Sequence, residues 1–322
     1  MASVAAELDL DLDRTAIDWL LASDEPGIRI QARRDLLSEA AGESAAAIAS
    51  GPWMSQLLDG QHEDGGFAVH PYQKWSGAHW RLVSMVELGM PPGEPRALAA
   101  ADTVLEWLTS ANHQATIKTI DGRTRRCASQ EGNALAMASR LGLARDERAR
   151  QLAESLISWQ WPDGGWNCDK TRTATHSSFH ESLPPVWGLS EYARATRDAN
   201  AARAAKRADE FFLEHRLFRS HTTGEIADPK WLRSPYPAYW HYNFTQCLTV
   251  LARAGALPDP RAEEALTLLR ERRQPDGLWH VRGAPYWRRS GPMYFDPVPW
   301  ERSGPSLMLT LNALRVLRAA AA

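Results

Sequence analysis

The chain predicts an all-α fold, a single (α/α)6 toroid built from six inner and six outer helices. Three observations predict it. A turn motif recurs three times along the chain, each copy follows a stretch of helical periodicity, and the gaps between copies leave room for one further hairpin each.

The copies are Gln61-His62-Glu63-Asp64-Gly65-Gly66-Phe67, Gln160-Trp161-Pro162-Asp163-Gly164-Gly165-Trp166 and Gln274-Pro275-Asp276-Gly277-Leu278-Trp279. Each Asp-Gly pair supplies a corner whose glycine accepts positive φ. The aromatic after it can fold back onto apolar surface, and the glutamine can satisfy backbone groups left open at the helix end. Degenerate corners fall between the copies, at Asp121-Gly122 and around Thr223-Gly224. Outer helices are expected near 15–22, 53–61, 96–109, 146–160, 201–215 and 260–273. Inner helices are expected near 28–38, 75–89, 128–142, 178–194, 240–254 and 304–319. A closed ring buries both flanks of every hairpin, which an open solenoid has to cap. Residues 1–14, where Asp9, Asp11 and Asp13 alternate with leucine, read as a flexible leader ahead of one domain over 15–322.

Composition bounds the function. Of 322 residues, 44% are hydrophobic and 24% charged, as in an ordinary globular protein. A net charge of −2 gives no pull toward nucleic acid or an anionic membrane. No apolar run approaches the roughly 18 residues a spanning helix needs, and the N-terminus lacks a secretory pattern, so a cytoplasmic protein is expected. Three scattered cysteines, Cys127, Cys168 and Cys247, make no disulfide framework. Fourteen tryptophans suggest a repeated structural role, an aromatic pocket, or both.

The Gln…Asp-Gly-x-Trp units resemble the QW repeats of the squalene–hopene cyclase and protein prenyltransferase β-subunit superfamily. The resemblance covers nearly the whole chain as architecture, but only the three corners as motif. It implies a toroid whose ligands enter where the corners feed the N-termini of the inner helices. The superfamily's proton-donating Asp-x-Asp-Asp motif is missing, and no two aspartates are adjacent anywhere. The aspartate-rich diphosphate–magnesium motif is also missing, as is the thioester signature of complement-type toroids.

At that rim the second corner leads to Cys168 and then to His176, His180 and Glu181. Spacing of i, i+4 puts both histidines on one face if both are helical. Cys127, before the preceding inner helix, is expected on the same rim. Zinc is therefore a candidate cofactor, held by Cys127, Cys168 and His176 or His180 with one position open; no cofactor at all, with unmetallated rim thiols, is the plainer expectation. Prenyltransferases of the superfamily use an Asp, Cys and His zinc site, whose spacing does not map here. Acid–base chemistry by His176, His180 and Glu181, with Asp169 or Asp296 as partner and Cys168 beside them, is the other expectation. Alternatively the histidines cap and pack.

Substrate contacts are expected from Trp75, His79 and Trp80 after the first corner, and from Arg126 and Asn133 after the degenerate one. Trp240 joins them from an aromatic stretch that includes Trp231, Tyr236, Tyr239 and Tyr242. Tyr294, Trp300 and Glu301 come from a long, aromatic last connection that reads as a lid. The resemblance favours a cyclase, isomerase or lyase acting on an isoprenoid or similar apolar molecule. A carbohydrate-active toroid enzyme and a non-catalytic lipid- or peptide-binding toroid are the alternatives, and oligomeric state is not legible. Pocket polarity separates the first two.

Overall fold

A computed structural model describes residues 10–40, 42–283 and 296–322. Its helices are α1 (Leu10–Leu21), α2 (Pro26–Ala32, continued by a π turn, Arg33–Leu37), α3 (Ala45–Ala49), α4 (Pro52–Leu58), α5 (Ala78–Glu87), α6 (Pro95–Thr109) and α7 (Ala111–Gln114). They continue with α8 (Ser129–Arg140), α9 (Glu147–Trp159), α10 (Phe179–Thr196), α11 (Ala199–Glu214), α12 (Phe244–Ala254), α13 (Glu263–Glu271) and α14 (Leu307–Ala321). All twelve expected helices are present. The outer six are α1, α4, α6, α9, α11 and α13, and the inner six are α2, α5, α8, α10, α12 and α14. Helix α1 begins at Leu10, inside the stretch expected to be leader. No helix among the described residues is long and apolar enough to cross a membrane.

Local chemistry sets these boundaries. Side chains of Glu94, Asp146, Asp198, Asn243 and Ser306 each accept a backbone N–H at the start of α6, α9, α11, α12 and α14. The outer helices bury one stripe only: on α9 it is Ala149, Leu152, Ala153 and Leu156. Inner helices are enclosed on nearly every side, as on α8, where Glu131 and Asn133 are buried with the alanines.

The three corners share one geometry. Gly65, Gly164 and Gly277 all have positive φ, at 83°, 95° and 81°. Each lies against a carbonyl of the next outer helix, and a Cβ there would approach Ala99 O to 2.3 Å, Arg207 O to 2.4 Å and Leu12 O to 3.1 Å. Gln61 Nε2 donates to Gly65 O and across to Arg96 O, and Gln160 Nε2 donates to Gly164 O and Ala204 O. The third corner is one residue shorter, so Arg273 and not Gln274 takes the equivalent place. Arg273 Nε donates to Gly277 O, and its guanidinium pairs with Asp13 on α1. The corner aromatics fold back as expected. Trp166 Nε1 donates to Leu156 O and Trp279 Nε1 to Leu269 O. Phe67, which has no N–H, instead lies under the Arg81 guanidinium at 4.1 Å.

The expected degenerate corners are β-hairpins. Strands β1 (Lys118–Ile120) and β2 (Arg123–Arg125) flank Asp121-Gly122. A bridge between Arg219 and Ile226 flanks the turn ending at Gly224. Two further short strands, β3 (His280–Val281) and β4 (Gly304–Pro305), pair antiparallel before α14.

The ring closes. Helix α5 packs on α8, α8 on α10, α10 on α12, α12 on α14, and α14 on both α2 and α1. Gln31 Nε2 of α2 donates to Glu87 O at the end of α5. Helices α8 and α10 meet backbone to backbone: a Cβ on Gly132 would stand 2.3 Å from Pro185 N, and one on Gly188 2.3 Å from Gly132 O.

Candidate functional site

The inner helices line a central cavity. Its walls combine rings, among them Trp187, Tyr236, Tyr239 and Trp279, with polar side chains from α5, α8, α12 and α14. Three of the lining residues, on successive inner helices, hold a buried polar atom without a hydrogen-bond partner among the described residues: Ser84 Oγ, Asn133 Nδ2 and Trp187 Nε1. All three residues are buried, at 2%, 2% and 6% exposure. A buried donor left unmade costs about 1–3 kcal/mol, so such atoms normally find partners. Glu87 and Arg253 also line the cavity and form an ion pair with two contacts, one of them 3.0 Å. Burial works against the Glu87 charge, but Arg253 outweighs it and holds the carboxyl below its ordinary range. At the mouth, His280 Nε2 lies 2.7 Å from Asp276 Oδ2.

A second cluster occupies the rim. Segments after β2 and after the second corner run side by side, bridged at Arg125 and Asn167 and by Arg126 N donating to Asn167 O at 3.1 Å. Cys127 and Cys168 follow directly. Glu181, in the first turn of α10, completes the group: ligand atoms of Cys127, Cys168 and Glu181 all lie within 4.8 Å of one another. Glu181 Oε2 accepts Ser129 N–H at 3.1 Å, and Oε1 accepts the Cys168 thiol at 3.5 Å. Burial raises the Glu181 carboxyl. The hydrogen bond between the thiols raises Cys168 and lowers Cys127. Behind the cluster, fully buried Glu131 accepts Arg126 Nε at 2.8 Å and lies near His113.

The rim shared by Cys127 and Cys168 is as the sequence led us to expect; the third residue is not. His176 is exposed and outside any helix, because α10 starts only at Phe179; its carbonyl accepts Asn167 Nδ2. It therefore shares no helical face with His180 and does not join the thiols. His180 Nδ1 accepts Tyr242 N–H at 2.8 Å, and its ring packs against Trp231, Trp240 and His241. Burial pulls that imidazole down to about 4. Asp296 does not partner the histidines. It accepts Tyr239 Oη at 2.8 Å and Trp300 Nε1 at 3.1 Å, tying the last connection to a cavity ring.

Of the residues expected to touch substrate, Asn133 lines the cavity. Trp75, His79 and Trp80 do not: they are at most 1% exposed, in a ring cluster where Trp75 stacks on Tyr239 at 4.3 Å. Burial takes His79 down to about 3, so it carries no charge there. Arg126 is committed to Glu131. Trp240 is half-buried and stacks on His241 at 3.9 Å. Trp300 is buried against Trp53 and Tyr236. Glu301 accepts Ser306 Oγ at 3.3 Å. Tyr294 lies outside the described residues. Ser84, Glu87, Arg253 and His280 are not singled out by the sequence, although a polar pair at i, i+3 on an inner helix, Ser84 and Glu87, is a usable signal.

No family model matches the chain, and no curated protein matches it. Among solved structures, a protein from Actinoplanes is similar over 97% of this chain and 99% of its own, at 18% identity and a TM-score of 0.48. A variant of the type II terpene cyclase MstE from Scytonema, solved with its product merosterolic acid A, is similar over 84% of this chain and 95% of its own. Identity there is 15% and the TM-score 0.28. Another variant of that cyclase, solved with geranylgeranyl dihydroxybenzoate, gives the same coverage, 14% identity and a TM-score of 0.27. The toroid rests on the helix contacts described above.

Proposed function

We propose that the chain is a terpenoid-cyclase-like enzyme, an isomerase or lyase in type, that acts by acid–base chemistry on an oxygenated isoprenoid or similar small molecule in the central cavity. One observation carries this: three residues of the cavity lining, Ser84, Asn133 and Trp187, each hold a buried polar atom (Oγ, Nδ2 and Nε1) with no partner among the described residues. A pure hydrocarbon would leave them unmade, at about 1–3 kcal/mol each. A molecule carrying hydroxyl, carbonyl or carboxyl oxygens satisfies them, while Trp187, Tyr236, Tyr239 and Trp279 cover its apolar body. His280 is the proton carrier in this scheme. Asp276 fixes one ring nitrogen at 2.7 Å and orients the imidazole at the cavity mouth.

A carbohydrate is the second reading, favoured by Asn133, Asn243 and Asn312 in the lining. Glycoside hydrolysis needs two carboxylates across the bond. Glu87 is the one acid among the described lining residues, and it is committed to Arg253.

The test is binding and turnover with squalene, isoprenoid alcohols and acids, and oligosaccharides, read by thermal shift and mass spectrometry. Isoprenoid alcohols or acids should stabilise the protein and be converted, with turnover lost in His280→Ala. Squalene binding as tightly as its oxygenated analogues would sink the proposal. Oligosaccharides alone being converted would move the function to the second reading.

A further inference from the structure

We propose that Cys127, Cys168 and Glu181 form a binding site for a zinc-type divalent transition metal, with one coordination position left open. The inference does not depend on what the cavity binds.

Three potential ligands converge from three separate parts of the chain, within 4.8 Å of one another. Thiolates about 2.3 Å from a tetrahedral zinc stand just under 4 Å apart, so only a small closure separates this arrangement from a metal-bound one. The donor set argues for the metal class. Two sulfurs and one carboxylate suit zinc and its neighbours, whereas magnesium and calcium require oxygen ligands.

The supports around the cluster are already in place. Cys127 and Cys168 are aligned by the Arg125–Asn167 bridge and by Arg126 N–H on Asn167 O. Asn167 is itself locked, its Nδ2 donating to His176 O and its Oδ1 accepting Asp169 N–H. Glu181 has one oxygen held by the Ser129 amide and the other turned toward the sulfurs. This division between an anchored and a ligating oxygen is how outer-shell contacts orient a metal ligand. Glu181 is 6% exposed, and the nearby cation Arg126 is engaged by Glu131 and Gln130. Two thiolates and a carboxylate around a divalent ion leave one net negative charge. The first turns of α8 and α10, which carry Ser129 and Glu181, present their positive ends to it.

Both cysteines are half-buried, in contrast to fully buried Cys247, so the cluster lies at the rim and not in the sealed core. Three protein ligands with an accessible fourth position is the arrangement of catalytic rather than structural zinc. Asn133, one turn further along α8 than Ser129, places the site close to the cavity wall.

Cobalt(II) titration of the full chain, stripped by a chelator, decides the matter. Wild-type protein should take up one equivalent and develop a thiolate-to-cobalt charge-transfer band that zinc abolishes. Cys127→Ser and Cys168→Ser should weaken uptake by at least ~100-fold, and Glu181→Gln by about 10- to 100-fold. Cys247→Ser and His176→Ala should bind as wild type does. Absence of the band in wild-type protein overturns the proposal, as does a band that survives in Cys168→Ser. The wild-type titration is decisive even if a variant fails to fold.

Discussion

The Arg273 guanidinium meets the Asp13 carboxylate at 2.6 Å, joining the last outer helix to the first. The same side chain donates to Gly277 O, so it does at the seam what Gln61 and Gln160 do at the two earlier corners. Both partners are largely buried, at 11% and 15% side-chain exposure, which sets this pair apart from the exposed ion pairs that contribute little. Arg273→Ala should lower stability by about 2 kcal/mol, the scale of losing the charged hydrogen bond from Arg273 Nε to Gly277 O in a buried setting. Arg273→Gln restores the residue found at the other corners and should recover part of that loss. Thermal or urea unfolding reads both. Equal losses in the two variants would mean that the corner bond to Gly277 contributes nothing.

Asn133 and Ser84 should show opposite effects on stability and function. Their partnerless polar atoms sit in an otherwise well-packed wall, and replacing such a group with an apolar one of similar volume is neutral or stabilising. Asn133→Leu should therefore melt no lower than wild type, by up to ~1 kcal/mol in its favour, while losing binding of any oxygenated ligand. A drop of several degrees in Tm would show that Asn133 holds the helices together instead.

The architecture was legible in the sequence for a mechanical reason. Corners that need a positive-φ glycine, an aspartate and a folded-back ring leave a fixed signature, and the helices fill what lies between. The same signature misled at one residue. Pro275-Asp276 makes the third corner shorter, so Gln274 looks like the anchor although Arg273 performs the task. The rim site was half legible. Cys127 and Cys168 follow from their places before inner helices, but His176 drew attention through an i, i+4 spacing that is meaningful only inside a helix. Asp163 instead accepts Ser177 N–H and Ser177 Oγ, holding that stretch as a loop up to Phe179. Trp187 was hidden because which face of an inner helix points to the hollow depends on packing between distant segments, and His280 because it lies on the short strand β3, outside any helical pattern.

Gly132 should tolerate no side chain. The backbones of α8 and α10 touch there, with Pro184 and Pro185 on one side and Gly188 on the other. A Cβ at 2.3 Å from Pro185 N has no rotamer to escape into, so the helices must separate. Gly132→Ala should cost about 3 kcal/mol or more, whereas an alanine at exposed Gly224, with nothing within 4 Å, meets only the strain of its φ of 72°. Unfolding of the two variants side by side checks the difference. A Gly132→Ala loss no larger than that of Gly224→Ala would place the helices further apart than described.

Asp209 makes stability depend on pH. It lies on α11 with 8% exposure, and one carboxylate oxygen has no hydrogen-bond partner among the described residues. Burial raises its pKa from 3.8 to about 7, with Glu210 adding to the shift and Lys206 opposing it. The native state then holds this proton more tightly than the unfolded chain does. Its contribution is fully present below about pH 4, falls away as pH rises through about 7, and is flat above that. Asp209→Asn carries no charge to desolvate and should be insensitive across the same window. Urea unfolding should find the variant and wild type close at about pH 4.5, with the variant ahead by ~2 kcal/mol at about pH 8. Because both chains share every other titrating group, the difference between their two curves isolates this carboxyl. Curves that stay parallel from acid to alkaline pH would mean that Asp209 is solvated and titrates as an ordinary surface acid.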